Sequence, residues 1–281
     1  MRLPFDAHNH VHLGPSSALS SLLAGGILQG MAIMSTHPQD FEKVSCLAGK
    51  VATSPIRDEE RDASCTMKHI IPCFGVHPWF LGGDSTNPPL ESNWIENLTY
   101  HLETTPNSIV GEIGLDGFHF CPKTKQLVAP MDYQVEIFEQ QMILASQLKK
   151  PVSLHAVQCW GVLSQSLAKL KRQKTFPSSI YFHAFGGKAG TLDQMLTLCK
   201  QANCTPYFGF APCVNFRSPK TSTLIEKIGI SRLLLESDRE DASKVNEDME
   251  ASIKVISEVL NLDKTAIVEQ TNINAQRFYG F

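Results

Sequence analysis

Six residues of this chain have side chains suited to hold divalent cations: His8, His10, Glu112, His155, His183 and Asp238. Neutral imidazole and carboxylate together accept zinc, manganese or magnesium, so the residue types do not select one metal. His8 and His10 are two apart. In a strand that spacing puts both side chains on one face, where they can share one cation. An isolated H-x-H is a weak signal, and a single histidine is more often a hydrogen-bonded core residue than a ligand. Glu112 lies in the run Gly111-Glu112-Ile113-Gly114-Leu115-Asp116. A carboxylate in an apolar run is costly unless paired or metal-bound, and the neighbouring strand residues include no Lys or Arg. Four imidazoles and two carboxylates suffice for two divalent ions that share a bridge and keep open positions. The chemistry of such a pair is hydrolysis. The cations polarise an ester or phosphoester and activate a water, which Asp238 would orient or deprotonate.

These groups need a scaffold that brings distant strand ends together. Short apolar runs at 3–8, 26–35, 70–76, 108–113, 151–155, 179–183, 205–210 and 232–236 read as eight strands. Segments with helical spacing separate them. Over 133–149, Ile137, Phe138, Met142, Ala145 and Leu148 recur at steps of three and four. Met249, Ile253, Ile256 and Leu260 do the same over 245–260. A last helix is predicted near 264–278, capped by Asp263. Strands that alternate with helices imply a parallel sheet covered by helices. Eight such units predict an α/β fold, a TIM-type (β/α)₈ barrel, as a single domain over residues 1–281. Active sites of such barrels sit at the carboxyl ends of the strands. His8, His10, Glu112, His155, His183 and Asp238 are each at or near such an end. His12 continues the spacing of two but falls past the first strand, as a loop histidine.

The 281 residues suit one barrel of about 250 residues with modest insertions. The net charge of −3 supplies no whole-molecule basic field, so an anionic substrate must be gripped locally or through metal ions. Eight scattered cysteines without a C-x-x-C pair argue against a zinc ribbon or a disulfide framework, and for reduced thiols in a cytosol-like compartment. The sequence holds no leader pattern and no apolar run near 18 residues, which predicts no membrane span and a cytoplasmic or also nuclear protein. Long loops follow the third, fourth, seventh and eighth strands, at 80–91, 117–131, 211–220 and 239–244. The polar stretch 52–68 reads as a solvated loop on the opposite face.

The motifs DAHNH (6–10), GVHPW (75–79), GEIGLD (111–116), PVSLHA (151–156), YFHAFGG (181–187), LLLESD (233–238) and NINAQRF (272–278) resemble, in this order, the TatD family of metal-dependent deoxyribonucleases among the amidohydrolase-like barrels. A glutamate on strand four is similar to this family rather than to barrels bridged by a modified lysine. The resemblance implies a two-metal site. His8, His10 and Asp238 would bind one ion, His155 and His183 the other, and Glu112 would bridge. It also groups His77 and Asp116 with the substrate site, His77 facing the substrate phosphate and Asp116 supporting the site from behind. DNA is the implied substrate, with no membrane and no obligate protein partner.

The chain departs from the family pattern at three places. Asp238 is followed by Arg239-Glu240-Asp241 where a proline is usual, Val157 stands where an arginine often follows the strand-five histidine, and Asn246-Glu247-Asp248 replaces N-E-P. These changes spare the ligands and alter the rim. Lys123, Lys125, Lys188 and Arg217 are available for neighbouring phosphates, though solvated surface is the commoner role of each. Two other readings fit the same residues: a metal-dependent hydrolase of another ester or amide, and a barrel retained as a protein-interaction scaffold.

Overall fold

A computed structural model describes residues 2–52, 67–82 and 89–281. Among the described residues, seven strands run in sequential order through one sheet: β1 (Phe5–Asn9), β2 (Gly30–Met34), β3 (His69–Phe74), β4 (Ile109–Asp116), β5 (Val152–Val157), β6 (Ser179–Phe182) and β7 (Thr205–Phe208). The pairings β1 with β2, β3 with β4, β4 with β5 and β5 with β6 are parallel. Among the described residues, ten α-helices follow the strands or one another: α1 (Ser16–Ala24), α2 (Phe41–Ala52), α3 (Trp94–Thr104), α4 (Met131–Gln147), α5 (Trp160–Gln173), α6 (Ala189–Gln201), α7 (Pro212–Asn215), α8 (Lys220–Ile228), α9 (Val245–Leu260) and α10 (Lys264–Tyr279). The strands are buried on both faces, as strands covered by helices are: β1, β2 and β4 are buried at every residue, the polar Asp6, His8, Glu112 and Asp116 included.

The expected eighth strand is present as an extended segment, not a strand with a ladder. Leu233 makes a single parallel bridge to Phe208. Leu234 N donates to Phe208 O at 3.0 Å, Ala7 N donates to Leu235 O at 2.8 Å and Asp238 N donates to His8 O at 2.9 Å. The segment therefore bonds to the end of β7 and to β1, the place of an eighth strand. The α/β barrel fold class is thus kept with seven strands in place of eight.

Two compact units make up the chain. The first comprises Met1–Met34, Glu42–Pro72 and Phe208–Phe281; the second comprises Ser35–Phe41 and Cys73–Tyr207. In the first unit α10 fastens β1. Asn272 Oδ1 accepts from Phe5 N at 3.0 Å, and its Nδ2 donates to Leu3 O at 2.9 Å. Asn274 Nδ2 donates to the carbonyls of Ile230 and Leu233, each at 2.8 Å. Asp263 caps α10, its carboxylate accepting from Thr265 N at 2.7 Å. In the second unit two buried glutamines one heptad apart on α4 tie the strand ends. Gln134 accepts from Asp116 N at 2.8 Å, and Gln141 accepts from Val76 N at 2.7 Å. α4 begins two residues earlier than its apolar spacing predicts, directly after Pro130, and ends where Lys149 turns left-handed with φ 55°.

Of the polar stretch 52–68, residues 53–66 lie outside the described residues, as do 83–88 of the loop after β3. Among the described residues no helix is long and apolar enough to cross a membrane.

Candidate metal centre and its supports

In the first unit, β1, His10 directly after it and the extended segment 233–238 bring together three side chains that could hold a metal ion. β1 and β2 are out of step by one residue between Asp6 and Asn9. This bulge holds Ala7 and His8, and bulges commonly re-aim side chains beside functional sites. The Nε2 atoms of His8 and His10 lie 3.3 Å apart, and Asp238 Oδ1 lies 3.8 Å from each. His10 Nδ1 is 2.9 Å from Met34 O. A carbonyl only accepts, so the hydrogen-bond network assigns the proton to Nδ1 and leaves the Nε2 lone pair facing the cluster. Metal-binding histidines are held in this way, their outer nitrogen donating to a fixed acceptor. The three side chains can place one ligand atom each within 4.8 Å of the others. His12 lies past β1, as expected, but it is buried, with its ring centroid 6.3 Å from that of His10.

Asp6 holds this cluster together, although the sequence reading gave it no role. Its carboxylate accepts from Ser237 Oγ at 2.7 Å, Ser237 N at 3.0 Å, Asn9 Nδ2 at 3.0 Å and His8 N at 3.3 Å. Burial pushes the Asp6 carboxyl up to about 6, and these hydrogen bonds limit the rise. Asp238 sits in the left-handed region with φ 53°, a conformation aspartate tolerates better than most residues. The next carbonyl, Arg239 O, accepts from His10 N at 2.8 Å. The Arg239 guanidinium in turn pairs with buried Asp248 on α9, through Nε to Oδ2 and through Nη2 to Oδ1 at 3.3 Å. Two of the three departures from the family pattern are therefore partners.

In the second unit, β4, β5 and the residues after β3 and β6 build a cluster around Glu112. β4 carries an extra residue relative to β5 between Val110 and Ile113, and Glu112 is in that bulge. Glu112 Oε1 lies 2.5 Å from His183 Nε2, 2.9 Å from His155 Nδ1 and 3.4 Å from His77 Nε2. His155 Nε2 lies 3.0 Å from Asp116 Oδ2. Asp116 also accepts from Trp79 Nε1 at 2.6 Å, Phe118 N at 2.6 Å and His119 N at 2.9 Å. Those four bonds fill the acceptor capacity of a carboxylate, so Asp116 acts by orienting His155.

The charges follow from these contacts. Burial opposes ionisation of Asp116, but the hydrogen bonds from His155 and Trp79 outweigh it and hold the carboxyl well below the usual range. Burial alone would lower His155, yet its bonds to Asp116 and Glu112 push it up to about 9. Without metal it is an imidazolium between two carboxylates. A cation at Nδ1 would take the place of one proton and leave the other on Nε2, donated to Asp116, so the donor set fits a divalent ion.

His77, Glu112 and His155 can also place ligand atoms within 4.8 Å of one another. Tautomer decides against His77 as a ligand there. Its Nδ1 accepts from Trp79 N at 3.1 Å, so a neutral ring keeps its proton on Nε2, the nitrogen that faces Glu112. A protonated nitrogen cannot ligate; it can donate to an oxygen.

Gly114 makes the β4–β5 contact possible. Its φ is +156°, and a Cβ there would stand 2.0 Å from His155 O. The four cationic residues Lys123, Lys125, Lys188 and Arg217 are all exposed.

The profile of the family described as TatD related DNase matches residues 5–280. The chain is 23% identical to the Cut9-interacting protein scn1 of Schizosaccharomyces pombe, over 98% of this chain and 96% of that protein. It is 24% identical to the Deoxyribonuclease TATDN3 of Homo sapiens, over 75% of this chain and 74% of that one. Its fold is similar to the crystal structure of the TatD homologue YjjV from Escherichia coli, with a TM-score of 0.74 at 21% identity, covering 99% of this chain and 98% of that chain.

Proposed function

The chain belongs to the TatD related DNase family, and from that premise we propose that it is a metal-dependent deoxyribonuclease hydrolysing phosphodiester bonds with two divalent ions. His8, His10 and Asp238 would hold one ion, His155 and His183 the other, and Glu112 would serve both. The observation that carries this reading is the tautomer pattern. His10 and His155 each give their outer nitrogen to a fixed acceptor and aim the inner one at acidic partners. Core histidines satisfied by the fold alone have no need of a second carboxylate on the inner side.

When bound, the divalent ions would neutralise phosphate charge and acidify water. The protein groups do the rest. Asp238, at 17% of its side chain the most exposed of Asp238, Glu112 and Asp116, orients the attacking water and accepts its proton. His77 donates Nε2–H to a non-bridging phosphate oxygen. Asp116 keeps His155 from turning its ring.

The test is hydrolysis by purified protein of single- and double-stranded DNA, RNA and a generic phosphodiester with magnesium, manganese or zinc, and with chelator. DNA cleavage that needs metal is expected. Glu112→Gln should lower the content of both ions and nearly abolish turnover. Asp238→Asn should keep much of the metal and lose about 10²–10⁴-fold in rate, the usual worth of a general base. Metal-loaded, folded wild type that leaves all DNA intact would overturn the reading. Cleavage of only the generic ester would move it to another hydrolase.

A further inference from the structure

Trp79 stands out among the large apolar side chains because it is both fixed and in water. The residue is 42% exposed. It stacks on the His119 imidazole with centroids 4.7 Å apart and planes 15° from parallel. Its indole N–H is held by Asp116 Oδ2, the same oxygen that holds His155. Phe118 and Phe120 are 59% and 45% exposed and meet edge to face at 5.9 Å. Their segment is an antiparallel hairpin. Phe120 bridges Leu127, Val128 N donates to His119 O at 2.9 Å, and Cys121 N donates to Gln126 O at 2.8 Å. The hairpin starts on Asp116 Oδ1, through Phe118 N and His119 N. One carboxylate thus anchors both His155 and the aromatic surface. The Trp79 centroid is 5.3 Å from that of His77 and 6.1 Å from that of His155.

Ordered aromatic rings left in water beside a polar cluster mark a binding surface. Flat rings favour a flat partner. The segment 118–128 contains Lys123 and Lys125 and no Asp or Glu, a local charge of +2 on a chain of net −3, which suits a polyanion. We propose that Trp79, His119, Phe118 and Phe120 form a stacking subsite for an unpaired nucleobase next to the phosphodiester held at Glu112, His155 and His183. The proposal rests on the nuclease reading for its neighbour site. A base inside a duplex has both faces occupied by its stacked neighbours, so only a single strand or a frayed end can use the rings. DNA and RNA bases offer the same face.

Binding in chelator tests the subsite without turnover. Short end-labelled single-stranded DNA and RNA oligonucleotides, a blunt duplex, and a single strand with abasic residues are titrated while label anisotropy is read for every variant, and tryptophan emission for those that keep Trp79. Trp94 is only 8% exposed and Trp160 is half-buried, so quenching reports mainly Trp79. Single strands with bases should quench, and duplex and abasic strands should quench weakly. Stacking on one aromatic side chain is worth roughly 1–3 kcal/mol. At an open surface the lower part of that range converts to a rise in Kd of about 5- to 20-fold in Phe118→Ala or Trp79→Ala. The ratio of abasic to base-bearing Kd should fall by the same factor.

Trp79→Phe separates stacking from structure. It keeps a ring and loses the bond to Asp116, so a stacking role predicts binding nearer to wild type than to Trp79→Ala. A purely structural role predicts that Phe is as damaging as Ala, and that result would overturn the proposal. So would alanine variants that bind base-bearing strands as wild type does. Base-dependent quenching in a protein that cleaves no nucleic acid with any metal would leave the subsite standing and remove the nuclease reading. Metal-dependent cleavage with no change in base dependence across the variants would do the reverse. The DNA and RNA arms tell which sugar the neighbouring contacts accept.

Discussion

Replacing Asp116 with asparagine removes one oxygen atom from a position where four donors meet. Oδ2 accepts from His155 and Trp79, and Oδ1 accepts from two backbone N–H groups, those of Phe118 and His119. A side-chain amide has one oxygen and one NH₂. In either flip, two of the four donors face another donor. Each donor left unmade in a buried place costs about 1–3 kcal/mol. Water can reach the partly exposed hairpin and favours the flip that sacrifices its two N–H groups, so the total should lie near the lower half, about 2–4 kcal/mol. For a chain of this size that lowers Tm by about 4–8 °C, at roughly 2 °C per kcal/mol. The carboxyl of Asp116 is held below the usual range, so its contribution is present above an ordinary carboxylate pKa and is lost as pH falls through the folded one. The deficit of the variant should be full at pH 7 and shrink only in strong acid. Function should suffer separately. Loss of an orienting partner typically costs about 10–100-fold in metal affinity or activity, read by calorimetric titration of zinc or manganese into chelator-treated protein. A variant that melts within about 1 °C of wild type and binds metal equally well would refute the placing of His155 by Asp116.

Three further outcomes follow from the geometry. Gly114→Ala would drive a methyl group into His155 O and strain a φ of +156°, so a loss of more than about 3 kcal/mol in denaturant unfolding is expected. In chelator-treated protein the His155 imidazolium, pushed up to about 9, stabilises the fold fully below its ordinary value of about 6.5 and stops doing so as pH rises through about 9. Thermal melts from pH 6 to 10 should show that loss, and His155→Gln should flatten it. Arg239→Met and Asp248→Leu should each destabilise by leaving a partly buried charge behind, whereas the double variant should cost less than the sum, as a double-mutant cycle on melts will read. Strict additivity would mean that the pair is a surface contact of no weight.

Much of the strand–helix order is readable because it rests on period. Helix α9 occupies the same 16 residues that its apolar spacing predicts, and Asp263 caps α10 as a side chain of its type should. The misreadings occur where tertiary contact overrules local preference. β4 was expected to stop at Ile113 but runs on to Asp116. Glycine and aspartate are poor strand formers, yet Gly114 is what lets the β4 backbone approach His155 O so closely. The segment 232–236 has the composition of a strand but forms only one bridge, and no pattern within five residues reports how many ladder bonds its neighbours can offer.

The residue types able to ligate were legible at strand ends; the partners that orient them were not. Asp6 sits in the same period-two run as His8 and His10 and could have been marked as an inward carboxylate, but its bond to Ser237 spans 231 residues. The apolar spacing of α4 says nothing of Gln134 and Gln141, yet their side chains satisfy the backbone at Asp116 and Val76. Arg239 and Asp248 each looked like a separate departure at the rim, and only the first turn of α9 brings them together. The role of His77 depends on still less. A single backbone N–H, that of Trp79, occupies Nδ1 and leaves a neutral ring its proton on Nε2, a nitrogen that can donate to an oxygen and cannot ligate. The turn Pro78–Phe80 that creates this contact is three residues long. The histidine in GVHPW is therefore assigned by the geometry of its own cap, which residue type and spacing do not encode.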